Sequence, residues 1–358
     1  MTASSGRRWS RGPTTCAPMP EGPTLAQLGE AELIRRLGAF APPGQFDDDA
    51  ALLGEARPGG QPGGGDPALV INTDVLVEDV HFSAATMGAA DVGWRAAAAN
   101  LSDLAAMGCR GAVGITVALV APGHTPWEWV EGAYGGMVEL LGAHGGVLLG
   151  GDCSGGRQRL LAITALGRLP ADGGAIRRGD GKAGDALVST GAHGLSRLGL
   201  ALLRGEPLPA LPPASREGAI RAHRRPVPRF DAVEALGVCR PAGRNWRVAG
   251  CDSSDGLGAA ASCLAVASGC TALLSLADLP LAAELAGLSA GQDWCLWGGE
   301  DFELVLALEP AWAGALVERL PGARWIGELV EPRPCGPLGW SEGGEPVTPR
   351  ATGFRHFS

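Results

Sequence analysis

One stretch of the chain joins an apolar run to a group of polar residues: Asn72-Thr73-Asp74-Val75-Leu76-Val77-Glu78-Asp79-Val80-His81-Phe82. The preceding run, 68–71, is apolar with β-branched residues at its end, which predicts a short buried strand. The polar residues would then stand at the carboxyl end of that strand, where open sheets commonly bind ligands. Thr73 and Asp74 offer oxygen ligands for a hard cation, and His81 offers a nitrogen.

The composition indicates a globular protein with room for two domains. The chain has 358 residues, of which 46% are hydrophobic and 19% charged, so a large core can form and global disorder is not expected. The formal net charge of -9 argues against a nucleic-acid-binding surface. If an acidic protein of this kind binds an anionic substrate, metal ions must bridge its carboxylates to the phosphates.

The cysteines and the absence of long apolar runs predict a cytoplasmic protein. The 9 cysteines are scattered and form no Cys-x-x-Cys pair, which is typical of free thiols in a reducing compartment rather than of zinc or disulfide frameworks. No apolar run approaches the ~20 residues of a membrane helix. Residues 1–23 carry Arg, Ser, Thr and Pro without an apolar signal core, which favours a disordered extension over a transit peptide.

The periodicity predicts a mixed α/β architecture in two lobes. The expected organisation is a disordered extension over 1–23, an N-terminal domain over 24–170 and a C-terminal α/β domain over 171–358. Helices are predicted over 25–40, 91–107 (closed by Gly108), 126–143 (closed by Gly142), 194–203 and 258–268. Strands are predicted over 68–71, 112–120, 147–149, 160–167, 186–190, 247–251 and 302–308.

Acidic residues recur where predicted strands and helices begin or end. Any one of them is more often a cap, a turn residue or a solvated charge than a functional group. Together, beside small residues and apolar strands, they form carboxylates that need cations or donors. Hard oxygen ligands without a His/Cys cluster indicate magnesium. The six acidic groups are Asp47–Asp49, Asp74, Asp103, Asp152, Asp252 with Asp255, and Glu300 with Asp301.

The usual nucleotide-binding loops are missing from the sequence. The segment 179–183, Gly-Asp-Gly-Lys-Ala, lacks the spacing of a Walker loop and the Ser/Thr that follows its lysine. A Rossmann glycine pattern is not found either. Phosphate would therefore be bound by metal–carboxylate clusters and by basic residues such as Arg178. The basic segment 223–229 fits either a phosphate-facing loop or a solvated turn.

These motifs, in this order, resemble those of the thiamine-monophosphate kinase family over about residues 25–357. The motifs are Asp48-Asp49-Ala50-Ala51, Asn72-Thr73-Asp74 with His81-Phe82, the run 100–108, Gly150-Gly151-Asp152, Ser254-Asp255-Gly256-Leu257 and Gly299-Glu300-Asp301. Several are shared with aminoimidazole ribonucleotide synthetase and selenophosphate synthetase. The resemblance implies an aminoimidazole ribonucleotide synthetase-like two-domain fold, whose N-terminal mixed sheet pairs in a homodimer, with ATP and several Mg²⁺ ions in the cleft.

The resemblance also implies roles for individual residues. The ATP contacts would be Tyr134, Gly151, Asp152, Arg178 and Ser254. The thiamine monophosphate contacts would be His81, Glu300 and Phe354, with Glu300 pairing with the cationic part of the substrate and Phe354 stacking on it. The implied metal ligands are Asp49, Asn72, Thr73, Asp74, Asp103, Asp152, Asp252 and Asp255.

The implied chemistry needs no general base. A phosphate monoester has a second pKa near ~6, so the acceptor is already an oxyanion at neutral pH. Magnesium held by Asp74, Asp103 and Asp152 would offset its repulsion by the γ-phosphate of ATP. The competing interpretations are another ATP-dependent enzyme of the superfamily and a non-catalytic nucleotide-binding protein. A selenophosphate synthetase would need a reactive cysteine near a lysine early in the chain, and a hydrogenase-maturation protein would end in a reactive cysteine.

Three positions depart from the pattern of the family. Asp47 stands where glycine usually precedes the Asp-Asp pair, which leaves open which two acids act as ligands. Asn72 stands where a hydroxyl residue is common, and it could ligate through its side chain or its backbone. Ser253 occupies a position that is often aliphatic, and the sequence gives no reason for it.

Overall fold

A computed structural model describes residues 22–53 and 68–348 of the chain. These residues divide into two compact units, one that ends at Pro42 and one that begins at Pro43. The first contains α1 (Leu25–Leu37) and a 3-10 turn at Gly38–Phe40, which confirms the helix predicted there. Thr24 starts α1 with a capping box that it forms with Gln27. The predicted N-terminal extension, the Gly/Pro-rich segment 57–67 and Phe354 lie largely or wholly outside the described residues.

The second unit begins with a five-stranded mixed sheet. Its strands are β1 (Ala51–Leu53), β2 (Leu69–Val77), β3 (Ala112–Ala121), β4 (Val147–Gly155) and β5 (Leu160–Arg168), in the order β1-β2-β5-β3-β4. All neighbours are antiparallel except β3 and β4. Two helices accompany this sheet, α2 (Ala89–Ala106) and α3 (Trp127–His144). A Schellman motif ends α2, with the predicted Gly108 at a φ of 97°.

A six-stranded sheet occupies the second half of the same unit. Its order is β11-β8-β10-β6-β9-β7, and β11 and β8 form its parallel pair. The predicted α/β class, with a mixed N-terminal sheet, is confirmed. The strands are β6 (Ala186–Ser189), β7 (Ala249–Asp252), β8 (Thr271–Leu274), β9 (Leu304–Leu308), β10 (Arg324–Val330) and β11 (Leu338–Trp340). The helices are α4 (Leu195–Leu203), α5 (Pro213–Arg224), α6 (Phe230–Cys239), α7 (Leu257–Ala267), α8 (Gly291–Trp297) and α9 (Pro310–Arg319).

The main hydrophobic core extends through both halves of this unit. Leu101 of α2 and Ile163 of β5 belong to the same buried cluster as Leu306 of β9 and Trp312 of α9. Burial of this shared apolar surface stabilises the association of the two sheets and their helices. The predicted domain boundary near residue 170 falls inside this unit, between the two sheets, and stays a prediction.

Several predicted elements have wrong limits, because sheet pairing and helix packing override local signals. Strand β2 does not end before Asn72: it pairs with β5 as far as Val77↔Leu160, so Asn72, Thr73 and Asp74 lie within the strand. Likewise, β4 continues through Gly151 and Asp152. Helix α3 passes through Gly142 and ends at His144, with Gly145 as its C-cap, since an interior glycine costs a helix only about 1 kcal/mol. The basic segment 223–229 joins α5 to α6, two helices that were not predicted.

Two glycines allow α2 and α3 to approach closely. A Cβ atom on Gly93 of α2 would lie 1.7 Å from the carbonyl oxygen of Ala133, and one on Gly136 of α3 would lie 1.9 Å from that of Ala90. Neither partner is a flexible side chain, so the backbones themselves would have to separate. Gly135, the neighbour of Gly136 on α3, has open space at the same position.

We therefore expect Gly136→Ala to destabilise the protein and Gly135→Ala not to. Forcing a methyl group into the α2–α3 contact should lower the free energy of unfolding by about 1–3 kcal/mol. Alanine at exposed position 135 should raise it by about 0.5–1 kcal/mol through helix propensity. Denaturant titration of the two variants measures the difference. Equal stabilities would show that the close packing of these helices has no energetic consequence.

Candidate active site

Three carboxylates from distant parts of the chain meet at one point. Asp49 precedes β1, Asp103 lies near the end of α2 and Asp252 ends β7. One carboxylate oxygen of each lies within 4.8 Å of those of the other two. Asp74 of β2 adds a further negative charge near Asp103. With Asn72, which contacts Asp103, the structure thus brings together five of the eight predicted metal ligands, and we call the four aspartates among them the acidic cluster.

Amide side chains join β2 to α2 beneath the acidic cluster. The Nδ2 atom of Asn72 donates to Oδ2 of Asp103 at 2.6 Å and to Oδ1 of Asn100 at 3.3 Å. The same Asn100 oxygen accepts the backbone N–H of Asp74 at 3.1 Å, and its Nδ2 donates to the carbonyl of Ala96 at 2.9 Å. A buried amide can satisfy several groups at once, so Asn100 fixes the register of α2 against the strand.

Burial makes the acidic cluster electrostatically costly. Loss of solvation, together with the charge of Asp252, raises the pKa of Asp49 to about 7 despite the nearby Arg178 guanidinium. Burial also raises the pKa of Asp103 well above its ordinary value, and Asp252, Asp49 and Asp74 add to the rise. The pKa of Asp252 is raised for the same first reason, although Ser254 and Ser102 donate hydrogen bonds to it. The ionised cluster therefore requires cations.

The donor set fits a hard divalent cation. The Oδ2 atom of Asp49 and the Oδ1 atom of Asn72 are buried and have no hydrogen-bond partner among the described residues. A buried oxygen without a donor is costly, and both are ligands that Mg²⁺ prefers. Asn72 uses its nitrogen for Asp103 and Asn100, so its remaining oxygen can ligate, which favours the side chain over the backbone.

Two further segments border the cluster. The Arg178 backbone N–H donates to Asp48 Oδ1 at 2.8 Å, and the Arg178 guanidinium forms an ion pair with Asp49. The segment after β7 is tied to Asp252, whose Oδ1 accepts from the Ser254 hydroxyl at 2.8 Å and whose Oδ2 accepts from the Ser102 hydroxyl at 2.8 Å. Both Asp48 and Asp49 thus face Arg178, while Asp255 is exposed beside the segment.

The structure explains the unexpected serine at 253. Its hydroxyl lies 3.0 Å from Nε2 of the buried His193 and accepts the backbone N–H of Glu303 at 3.1 Å. Burial lowers the pKa of His193 to about 4, so the ring is neutral and shares its hydrogen bonds with serine hydroxyls. An aliphatic side chain at 253 would leave Nε2 of His193 without this partner.

Glu300 lies in a strained turn before β9. Its φ is 61° and that of Phe302 is 53°, a left-handed region that costs non-glycine residues about 1–3 kcal/mol each. The buried carboxylate of Asp301 between them accepts the backbone N–H groups of Gly194 at 2.7 Å and Ser196 at 2.9 Å. The Glu300 N–H donates to the carbonyl of Ser254 at 2.7 Å, which links the turn to the acidic cluster.

The Glu300 side chain forms an ion pair with Arg95 of α2. Burial opposes its ionisation, but the charge and hydrogen bonding of Arg95 lower the pKa of Glu300 below its ordinary value, with a smaller contribution from His81. His81 and Glu300, two predicted substrate contacts, are thus close enough to interact. The Nδ1 atom of His81 accepts the backbone N–H of Val77 at 3.0 Å.

The remaining predicted residues lie apart from the acidic cluster. Asp152 is on edge strand β4, three strands from β2, which at ~4.8 Å per strand is about 14 Å from the position of Asp74. Thr73 alternates with Asn72 and Asp74 along β2 and bonds Thr164 at 2.8 Å on the opposite face of the sheet. By the same register Asp152 shares the face of Thr73. Tyr134 is half-buried on α3 near Cys153, and burial raises its pKa.

The site residues predicted from the sequence do not include Arg95, Ser102 or Asp48. Arg95 is only 2% exposed, although arginine is seldom fully buried. The signal available was its position directly before the apolar run Ala96-Ala97-Ala98-Ala99, in which a solvated charge is unexpected. Its partner could not be identified from spacing, because Glu300 is more than 200 residues away.

The raised pKa of Asp49 predicts how stability depends on pH without metal. A group whose pKa is higher in the folded protein contributes stability that is present below its ordinary pKa near 4 and is lost as the pH rises to about 7. In EDTA, we expect the Tm to fall between about pH 5 and about pH 8 by more in the wild type than in Asp49→Asn, which cannot titrate. Thermal unfolding across this range tests it. Parallel Tm profiles for the two proteins would contradict it.

The chain is similar to one known protein family and to curated relatives over nearly its full length. The family described as "AIR synthase related protein, N-terminal domain" matches residues 47–169. The thiamine-monophosphate kinase of Prochlorococcus marinus is 44% identical over 339 residues, covering 93% of this chain and 97% of its own. That of Synechococcus elongatus is 45% identical over 340 residues, with coverages of 94% and 98%.

Solved structures share the fold. The structure of AaThiL complexed with AMPPCP and TMP has a TM-score of 0.77 and 26% identity and covers 94% of this chain and 100% of its own. A hydrogenase maturation protein, Escherichia coli HypE, has a TM-score of 0.62 at 20% identity, with coverages of 90% and 98%, and shows likeness of fold alone. The two relatives at 44% and 45% identity match over nearly the full chain, and this chain therefore belongs to the thiamine-monophosphate kinase family.

Proposed function

We propose that this chain transfers the γ-phosphate of ATP to thiamine monophosphate at the acidic cluster, giving thiamine diphosphate and ADP. Its family makes the chain an ATP-dependent kinase. The observation that carries the location of the reaction is the meeting of Asp49, Asp103 and Asp252, with buried oxygens that lack donors. The related AaThiL structure, complexed with AMPPCP and TMP, supports both substrates.

The acidic cluster would hold Mg²⁺ through Asp49, Asn72, Asp74, Asp103 and Asp252. When bound, the metal neutralises charge on the phosphates and aligns donor and acceptor. The protein contributes rigid placement of these ligands, because the amides of Asn72 and Asn100 and the hydroxyls of Ser102 and Ser254 orient the carboxylates. Exposed Asp255 would bind a further ion at the rim.

The binding site for the acceptor, thiamine monophosphate, would be formed by His81 and Glu300. Because Nδ1 of His81 accepts a backbone N–H, the neutral ring carries its proton on Nε2, which can donate to a phosphate or hydroxyl of the substrate. No proton needs to be removed from the acceptor, whose phosphate has a second pKa near ~6. Glu300, held ionised, would attract the cationic rings of the substrate, with Phe354 stacking on them.

Arg178 and Ser254 would contact ATP beside the acidic cluster. Arg178 is ion-paired with Asp49, and Ser254 hydrogen-bonds Asp252, so both side chains already border the metal ligands. A guanidinium at this position can exchange a carboxylate for a phosphate oxygen as partner when nucleotide enters. Tyr134 on α3 and Gly151 of β4, which shares the face of Asp74 by strand register, would also contact the nucleotide.

We propose a homodimer formed by edge strand β4 and the open face of the first sheet. Val147, Leu148 and Leu149 of β4 are 39–59% exposed, although a long apolar edge strand is an association-prone surface. Thr73 and Asp152 occupy that open face about three strands apart within one chain. In a twofold dimer of this sheet, Asp152 from one chain can approach Thr73 from the other, on the strand whose opposite face carries Asp74. The free thiols of the eight described cysteines support a cytoplasmic location.

The function is tested with purified protein, ATP, Mg²⁺ and thiamine monophosphate. We expect thiamine diphosphate to form and Asp103→Asn to reduce kcat/KM by more than ~100-fold, because a lost metal ligand should cost more than a lost outer-shell partner. Asp278→Asn, which removes an exposed carboxylate in the turn with Ser275, is the control and should retain wild-type activity. Turnover of ATP on another acceptor, without thiamine diphosphate, would exclude the assignment.

The shared site is tested by mixing two inactive variants. Asp74→Ala and Asp152→Ala should each be inactive alone. After unfolding and joint refolding, half of the dimers are mixed, and one of the two sites in each contains both aspartates, so activity should recover to about a quarter of the wild type. Separate refolding followed by mixing is the control. No recovery, with mixed dimers demonstrated, would place both aspartates in a site within one chain.

A further inference from the structure

We infer that Arg95 is the positioning residue for Glu300: it holds this carboxylate at a fixed place relative to the acidic cluster and thereby sets the affinity for the acceptor substrate. The inference rests on the proposed function, in which Glu300 binds the cationic part of thiamine monophosphate. Arg95 is 2% exposed and lies in the middle of α2. It therefore acts through Glu300 rather than by contact with substrate.

Contacts with His223 fix one side of the Arg95 guanidinium. One of its terminal nitrogens donates to the backbone carbonyl of His223 and lies 3.3 Å from Nδ1 of the same residue. The His223 ring is held by the Ser196 hydroxyl at 3.2 Å, and burial together with the charge of Arg95 lowers its pKa to about 3. The ring is thus neutral and does not compete for Glu300. The other terminal nitrogen of Arg95 is left for Glu300.

Among the residues that the structure describes, the other charged-type contact of this carboxylate is with Nδ1 of the neutral His223 ring, at 3.8 Å. The turn around it is fixed through the backbone, by Asp301 at the start of α4 and by the Glu300 N–H at Ser254. These bonds fix the chain at Glu300 and leave its side-chain torsions undetermined. The side chain is about one-third exposed, so part of it faces solvent while Arg95 binds Oε1 from the buried side. Arg95 therefore selects the orientation that leaves the exposed side for a cation.

Helix α2 sets the distance between the two ends of the site. Arg95 and Asp103 are eight residues apart, which is about 12 Å along a helix axis. Arg95 and Ser102 are seven residues apart and therefore share a face of α2, where one reaches Glu300 and the other Asp252. A substrate with its phosphate at one end and its cationic rings at the other would have to match this spacing between the two ends of the site.

The inference is tested by steady-state kinetics of Arg95→Met, Glu300→Gln and the double variant. Loss of the ion pair should raise KM for thiamine monophosphate about ten- to hundredfold and leave KM for ATP within about twofold. Because Arg95 acts through Glu300, the double variant should have the KM of Glu300→Gln alone. Additive effects would overturn the inference, as would an equal rise of KM for both substrates.

Two further variants keep the test decisive. If Arg95→Met does not fold, Arg95→Lys retains the charge but cannot bond His223 and Glu300 together, so KM for thiamine monophosphate should still rise several-fold. An unchanged KM in a folded Arg95→Lys protein would overturn the inference. The control is Arg225→Gln, which removes an arginine that also joins α2 to the end of α5, through Asp91 at 2.7 Å, without contacting Glu300. Its KM should match that of the wild type. Failure of the wild type to phosphorylate thiamine monophosphate would instead reject the proposed function.

Discussion

The burial of polar side chains on both sides of α2 is the constraint on which the rest of the site depends. Asn100 and Asp103 face β2, while Arg95 and Ser102 reach Glu300 and Asp252 in the second half of the chain. Buried polar groups are costly unless their partners are in place. The helix can therefore be satisfied only when the strand and both later segments have docked against it. Folding and assembly of the site are in this sense the same event.

The composition of α2 makes this arrangement possible. Eight of its 18 residues are alanine, and Gly93 lets α3 approach to backbone contact. Small side chains allow a sheet and two helices to surround one helix closely, so that short residues such as Ser102 can reach across to Asp252. The result is a helix that would have little apolar side-chain volume alone and is stabilised mainly by what packs around it.

Much of the fold could be predicted from the sequence, because periodicity and caps are local signals. Apolar runs and glycine predict the helix closed at Gly108 and four of the five strands of the first sheet. The predicted limits of strands are wrong where long-range pairing decides them. Strand β2 continues through Asp74 because β5 continues beside it. The helices α5 and α6 were missed because their basic and proline-rich neighbours resemble a loop. Local sequence does not carry such tertiary information.

The site was predictable in its residue types but not in its geometry. Motif order pointed to Asp49, Asp74, Asp103 and Asp252, and the structure brings these four together. It could not show that Thr73 and Asp152 stand on the opposite face of the sheet, because a one-residue alternation reverses the face and only the strand register reveals it. Nor could it reveal ion pairs such as Arg95–Glu300, whose partners are separated by more than 200 residues.

Charge repulsion opposes the docking of the two halves of the chain, and nearby groups offset only part of it. Bringing Asp252 against Asp49 and Asp103 places like charges in a buried region, which opposes association of the halves. Arg178 beside Asp49 works against that repulsion, as do the hydroxyls on Asp252. These contacts leave the pKa values of Asp49, Asp103 and Asp252 raised, so the compensation is incomplete. If its own side chains neutralised the acidic cluster fully, the protein would have no affinity left for cations and the phosphates they carry. The residual negative charge of the cluster is therefore required for function.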